Sequence, residues 1–279
     1  MRFGERVRVG VPVRSWTRKT GDAPWGIAVL ATGGSSNTIT DGSSYTLLSY
    51  TGDGTFTVTS AGIFECLLVA GGGAAGNNLG NNEPTGGGGG GSALITELFL
   101  PVGTYTVKVG AGAAANTGQE PQNRAGGASA IYNSASAPTF YAIAEGGQGG
   151  GSAWGASVAG PMNIGGNSYR DGYGNVTAIA STSPICFNGG QGTVSADAGG
   201  GAGAGGSASN QTAGVGRSST FTGGAAVTYG SGGSGGQNNG THGVTGSAIG
   251  GGGGGRGRST AQNGPAGNGG AVYIRFGAN

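Results

Sequence analysis

The sequence is poor in charge, cysteine, histidine and proline. Charged residues make up 9% of the 279 residues, where an ordinary soluble domain carries ~25%. The two cysteines, Cys66 and Cys186, give neither a disulfide framework nor paired zinc spacing, and Cys66 reads as a reduced core thiol within an apolar stretch. Nine prolines, together with glycine runs that ignore a third-residue rule, exclude collagen. No run of about 18 apolar residues occurs, so no membrane insertion is expected. The first residues lack the continuous apolar core of a secretory signal, and synthesis in the cytoplasm is expected.

Glycine is abundant instead: 71 of 279 residues, against a usual share of ~7%. Each glycine in a helix costs ~1 kcal/mol relative to alanine, so a helical domain is excluded. Disorder is the other usual outcome for such composition, but strand-like segments oppose it. Tyr45 to Tyr50 leads into Gly52-Asp53-Gly54, an Asp-Gly hairpin signal, and Phe56 to Thr59 alternates with period two. Phe64 to Ala70 is apolar on both faces, as a central covered strand should be, and Ala93 to Leu100 reads the same way. Pro101 and Gly103 mark a turn, Tyr105 to Val109 alternates with Lys108 outward, and Ala130–Tyr132, Phe140–Ala144 and Ala271–Phe276 complete the set. The expectation is a basic arm over 1–30 and a body over 31–279, with strands about 45–70, 93–109, 130–144 and 271–276.

Between the strands lie glycine clusters at 71–73, 86–91, 146–151, 199–206, 232–236, 250–255 and 267–270. Such runs have no side chain to bury and lose the most backbone entropy on ordering. Only their peptide groups can hold them. Polyglycine adopts an extended left-handed helix of three residues per turn with no internal hydrogen bonds. Packed side by side, such helices can bond sideways and approach closely enough for Cα–H···O contacts. The fold expected is mainly β: a small β-sandwich combined with packed polyglycine-II helices, with little or no α-helix.

Two groups of residues stand out for interaction. The arm carries Arg2, Arg6, Arg8, Arg14, Arg18 and Lys19 against Glu5 alone, with Trp16 and Trp25 beside the basic pair. A basic arm on a near-neutral body suggests a docking partner. Nucleic acid is not the expected one, because the body lacks basic patches with aromatic platforms. The anchoring candidates are Arg6, Arg8, Arg14, Trp16, Arg18, Lys19 and Trp25. In the body, Trp154, Tyr169, Arg170, Tyr173, Phe187, Phe221, Tyr229 and His242 fall between glycine clusters. Aromatic faces and an Arg fork suit sugar rings or protein loops, and the alternative is that these rings cap the glycine array. Catalytic motifs are weak. His242 is the sole histidine, so any Ser-His-Asp triad must use it. Gly232-Gly233-Ser234-Gly235-Gly236 matches GxSxG, yet lacks a strand-to-helix elbow. No enzyme, metal or cofactor is expected.

The order of motifs carries a resemblance. FECLLVAGGG (64–73) is followed by GGGGGGSALITELFLPVGTYTVKVGAGA (86–113), a later glycine-serine block, and GNGGAVYIRF (267–276). This resembles the glycine-rich domain of phage tail-fibre and other virion proteins over roughly 60–276. More loosely it is similar to the polyglycine sandwich adhesins at fibre tips. The resemblance implies a non-enzymatic virion structural protein, a fibre or tail-tip protein presenting loops for host attachment. It implies other virion proteins as partners of the arm, a host glycan or outer-membrane protein as target, and homo-oligomers. A capsid-attached head fibre or decoration protein is the alternative within that class, and a tail-associated polysaccharide-degrading enzyme the alternative outside it.

Overall fold

The computed structural model describes residues 30–77, 84–115, 117, 124–134, 138–150, 169–170, 176–177, 197–258 and 263–277. Among these the secondary structure is all β, in strands β1 (Leu30–Gly33), β2 (Ser35–Thr40), β3 (Ser44–Tyr50), β4 (Gly54–Ser60), β5 (Gly62–Val69), β6 (Ala93–Leu100), β7 (Gly103–Lys108), β8 (Ser129–Asn133), β9 (Phe140–Ala144), β10 (Tyr169–Arg170), β11 (Val176–Thr177), β12 (Arg217–Ser219), β13 (Val227–Tyr229) and β14 (Ala271–Gly277). Two antiparallel five-stranded sheets dominate, in the orders β1-β4-β7-β8-β9 and β2-β3-β14-β5-β6. The pairs β10-β11 and β12-β13 are separate two-stranded ribbons.

Period-two alternation builds the sandwich. Phe56 and Val58 of β4, Tyr105 and Val107 of β7, and Ile131 of β8 face Leu48, Phe64, Cys66, Leu68, Ile274 and Phe276 of the other sheet. Phe64 stands edge-on to Phe56, with ring centroids 5.1 Å apart. Each fully buried Leu, Ile or Phe here contributes about 1.5–3 kcal/mol. The intervening residues Leu47, Leu67 and Val69 point to the opposite face, where Phe221 and Tyr229 cover them. That explains why 64–70 is apolar on both faces. Cys66 is buried with a free thiol, and burial pushes its pKa up.

Two expectations are corrected. Gly52-Asp53-Gly54 does not close a hairpin, because β3 pairs with β2 and β14 whereas β4 pairs with β1 and β7. The turn crosses between sheets, and Asp53 accepts from the Val109 N–H and the Lys108 ammonium instead. β6 is an edge strand and not a covered one, which leaves Phe99 exposed. β1, β2 and the β12-β13 hairpin were absent from the sequence reading.

Several strands run straight into glycine, and there the hydrogen-bond rule changes from two-fold to three-fold. In the stretch 71–76, Gly71 and Ala74 donate to Gly127 and Arg124; Gly72 and Ala75 donate to Asn268 and Pro265; Gly73 and Gly76 donate to Gly89 and Gly86. Residues three apart thus address the same neighbour, the signature of a three-fold extended helix. Three more stretches donate to it: Gly147 and Gly150 to Gly71 and Ala74, Ala113 to Gly72, and Gly253 to Gly73. These bonds span 2.7–3.0 Å. The stretch therefore has a complete shell of six neighbours, three accepting from it and three donating to it. Neighbours on adjacent sides also bond to each other, as Gly88 does to Gly253 and Gly267 to Ala113.

Ala74 and Ala75 show that a methyl fits at some positions of the array, but at many of its glycines the spacing leaves no room for one. A Cβ placed at Gly72 or Gly88 would lie under 3.0 Å from the carbonyl of Gly251 or Gly73, both backbone atoms tied into the array. Around Gly52, by contrast, nothing lies within 4 Å of the same position. Overpacking costs typically 1–3 kcal/mol, and a domain of this size loses about 2–4 °C per kcal/mol. Gly88→Ala should therefore lower the melting temperature by several degrees in calorimetry, while Gly52→Ala should leave it within about 1 °C. Amide exchange at 71–76 and 250–255 should be slow, and fast exchange there would contradict the array.

Candidate functional site

The stretch 231–236 lies at the border of the array. Gly232 and Gly235 donate to Gly214 and Gln211, Gly233 and Gly236 to Gly88 and Thr85, and Ser234 to Val244. It accepts from Gly201 and Ala198 on one side and from Gly252 and Gly255 on another. That makes five neighbours among the described residues. On the sixth side is an open groove of about 490 Å³ between 213–216 and 244–246. Ser231 and Ser234 form its floor, Val215 and Val244 its rims, and Ser218, Thr228 and Thr245 add hydroxyls. The lining contains no charged side chain, whereas Val215 is 66% and Val244 74% exposed.

The serines stand at the one azimuth where the three-fold helix has space. The Val244 N–H donates to Ser234 Oγ at 2.7 Å, and the Ser247 N–H donates to Ser231 Oγ. Ser234, the middle of the GxSxG match, is thus a bracket for a neighbouring stretch. The groove residues were missed in sequence, although Ser-Gly-Gly-Ser-Gly-Gly at 231–236 carries the signal: a side chain every third residue marks the free side of a three-fold helix.

The structure separates the interaction candidates. Phe221 and Tyr229 come together, but buried at 3% and 1% exposure against the sheet. Of the two readings open for these rings, binding or packing, both stand as packing residues that give Leu47, Leu67 and Val69 their apolar cover. Burial pushes the Tyr229 phenol up, opposed by the Thr222 hydroxyl. His242 is exposed, and its Nδ1 accepts from the Gly257 N–H at 3.0 Å. Tyr169 and Arg170 form β10 and pair with Thr177 and Val176. Trp154, Tyr173, Phe187 and the arm residues Arg6, Arg8, Arg14, Trp16, Arg18, Lys19 and Trp25 lie outside the described residues. Among the described residues no group of three or more His, Cys, Asp or Glu could hold a metal ion.

A family model described as a glycine-rich domain matches residues 49–277, from β3 through β14. The chain belongs to that glycine-rich domain family. No curated protein matches it.

One charged cluster ties this glycine-rich domain together, and sequence reasoning did not find it. Arg275 on β14 is 12% exposed and bonds Asp41 at 2.7 Å. It also bonds the Glu65 carboxylate across the ladder and donates to the Phe221 carbonyl. Its guanidinium lies between two rings, 4.7 Å from the centroid of Tyr45 and 4.4 Å from that of Phe221. Burial works against its charge, but the hydrogen bonds and charges of Asp41 and Glu65 raise its pKa overall. Removing one partner of a buried pair costs about 3–5 kcal/mol, as does truncating a buried Phe. Phe221→Ala should lower the melting temperature by about 6–20 °C and Arg275→Met by no more than that, with a double variant less affected than the sum because the two side chains touch.

Proposed function

We propose that this glycine-rich domain is a non-enzymatic structural component of a bacteriophage virion, a fibre or tail-tip protein that holds connecting segments rigid for attachment to a host surface. The observation that carries the reading is the complete six-neighbour shell around 71–76. A rod array of peptide groups is stiff in every direction across its section, which suits a particle that must keep its binding segments aimed outside a cell. The motif order shared with tail-fibre glycine-rich domains supports the same reading. So does the low charge, since few groups titrate near neutrality. In this reading the arm over 1–30 docks on other virion proteins, the chain assembles as a homo-oligomer, and the segment containing Trp154, Tyr169, Arg170 and Tyr173 meets a glycan or outer-membrane protein.

Immunogold labelling of intact particles with antibody to the purified chain tests it. Gold at the fibre or tail tips is expected. Gold over the head would move the protein to the capsid. Absence of the chain from purified particles, or depolymerisation of host polysaccharide by the purified chain, would overturn the reading.

A further inference from the structure

Among the described residues no stretch occupies the groove on the sixth side of 231–236, and its walls carry the hydrogen-bonding groups that one more helix would use. In the filled shell around 71–76, donors and acceptors alternate around the axis. The carbonyl of residue j lies between the directions of the N–H groups of j−1 and j. Gly72, for example, accepts from Ala113, which lies between the stretches addressed by Gly71 and Gly72. The same rule applied to 231–236 leaves one direction open, that of the Gly232 and Gly235 carbonyls. Neither carbonyl receives a hydrogen bond among the described residues. The direction falls between the 211–214 neighbour, which accepts from Gly232 and Gly235, and the 244 neighbour, which accepts from Ser234. That is where the groove lies.

The wall at 213–216 obeys the rule as well. Its Gly214 carbonyl accepts from Gly232 and its Gly214 N–H donates to Gly201. The remaining direction beside that carbonyl belongs to the N–H groups of Ala213 and Gly216. Both residues line the groove, and neither N–H has a partner among the described residues. The opposite wall is already satisfied, since the Val244 and Ser247 N–H groups donate to Ser234 and Ser231. The groove thus offers the Gly232 carbonyl as an acceptor, with the Gly235 carbonyl one turn further along the same direction just beyond the lining, and on another side the two donors Ala213 and Gly216, each pair three residues apart and with no charge.

We propose that this groove binds an extended glycine-rich strand of another polypeptide, which completes the sixth neighbour of 231–236. The strand's N–H groups at every third residue donate to the Gly232 and Gly235 carbonyls, and its carbonyls accept from Ala213 and Gly216. Two groups three residues apart on one wall match the three-residue turn of such a strand. Glycine is needed where the strand meets the wall as closely as Gly72 and Gly88 meet their neighbours, positions at which a Cβ would strike a carbonyl. The valine rims bury against its flanks. This inference stands on the lattice alone and does not depend on a virion role.

The test uses the full chain and a fluorescent synthetic peptide of six glycines flanked by lysines for solubility. Saturable binding by anisotropy is expected, with amide shifts at Ala213, Gly216, Gly232 and Gly235 in NMR spectra. A matched peptide with every glycine N-methylated lacks N–H donors and cannot make these bonds, and should bind at least ten-fold more weakly. Val244→Trp and, separately, Val215→Trp alter exposed rim positions and fill the groove. Each should weaken binding at least ten-fold while leaving the melting temperature within about 2 °C. The proposal is overturned by absence of saturable binding, by equal binding of the N-methylated peptide, or by full binding to both tryptophan variants. Displacement of the peptide's shifts by a neutral oligosaccharide that binds more tightly would instead mark the groove as a sugar site and overturn it too.

Discussion

The peptide-to-peptide hydrogen bond is the main directional contact available to the glycine stretches of this chain, which have no side chains to bury. Each such bond contributes about 0.5–1.5 kcal/mol net, against about 1–2 kcal/mol to fix one residue's backbone and more for glycine. A single ladder of such bonds therefore cannot hold a glycine run. The three-fold twist changes the balance by sending successive N–H groups to different neighbours, so that each run is restrained from several sides at once. Close approach then adds dispersion and Cα–H···O contacts along the whole length. The absence of side chains is what permits both.

The array still needs its members delivered in register, and the sandwich does that. β5 continues into 70–76 and 86–92 leads into β6, so the β5-β6 ladder runs on without a break. Val69 pairs with Ala93, then Ala70 donates to Ser92, Gly73 to Gly89 and Gly76 to Gly86. The seam between β5 and β14 extends in the same way, from Ala271 opposite Val69 to Gly72 on Asn268 and Ala75 on Pro265. An ordinary hydrophobic core thus sets the spacing and direction from which the glycine stretches grow. The half-buried Arg275 on the central β14 strand, held by Asp41 and Glu65, fixes the cover that shields the sheet's outer face.

Much of this was legible in sequence. Glycine content and period-two segments gave the fold class, and the double-faced apolar run 64–70 announced a strand covered on both sides. What failed was pairing. Asp53-Gly54 carries hairpin chemistry, but local turn preference does not say whether the strands it joins lie in one sheet or in two facing ones. Ala93–Leu100 is as apolar as β5, yet nothing in its composition reveals that it ends a sheet. Composition could not decide whether Phe221 and Tyr229 bind a partner or pack, because their partners Leu47, Leu67 and Val69 are more than 140 positions away. Arg275 was invisible for the same reason, since its two carboxylates and two rings come from three separate parts of the chain, 41–45, 65 and 221.

The border of the array poses the problem that an edge strand poses to a sheet, because unpaired peptide groups invite another chain. Here the border is handled on one wall and left open on the other. Ser231 and Ser234 turn their hydroxyls onto the N–H groups of 244 and 247, closing that wall with side chains of the run itself. Ala213 at the facing wall has no hydroxyl to do the same, and Gly216 has no side chain. A chain that places Ser at every third position of one run could have placed it on the neighbouring run as well. The asymmetry leaves donors and acceptors facing one slot at the spacing of one more helix, so the array ends on a surface that still has the pattern of its interior.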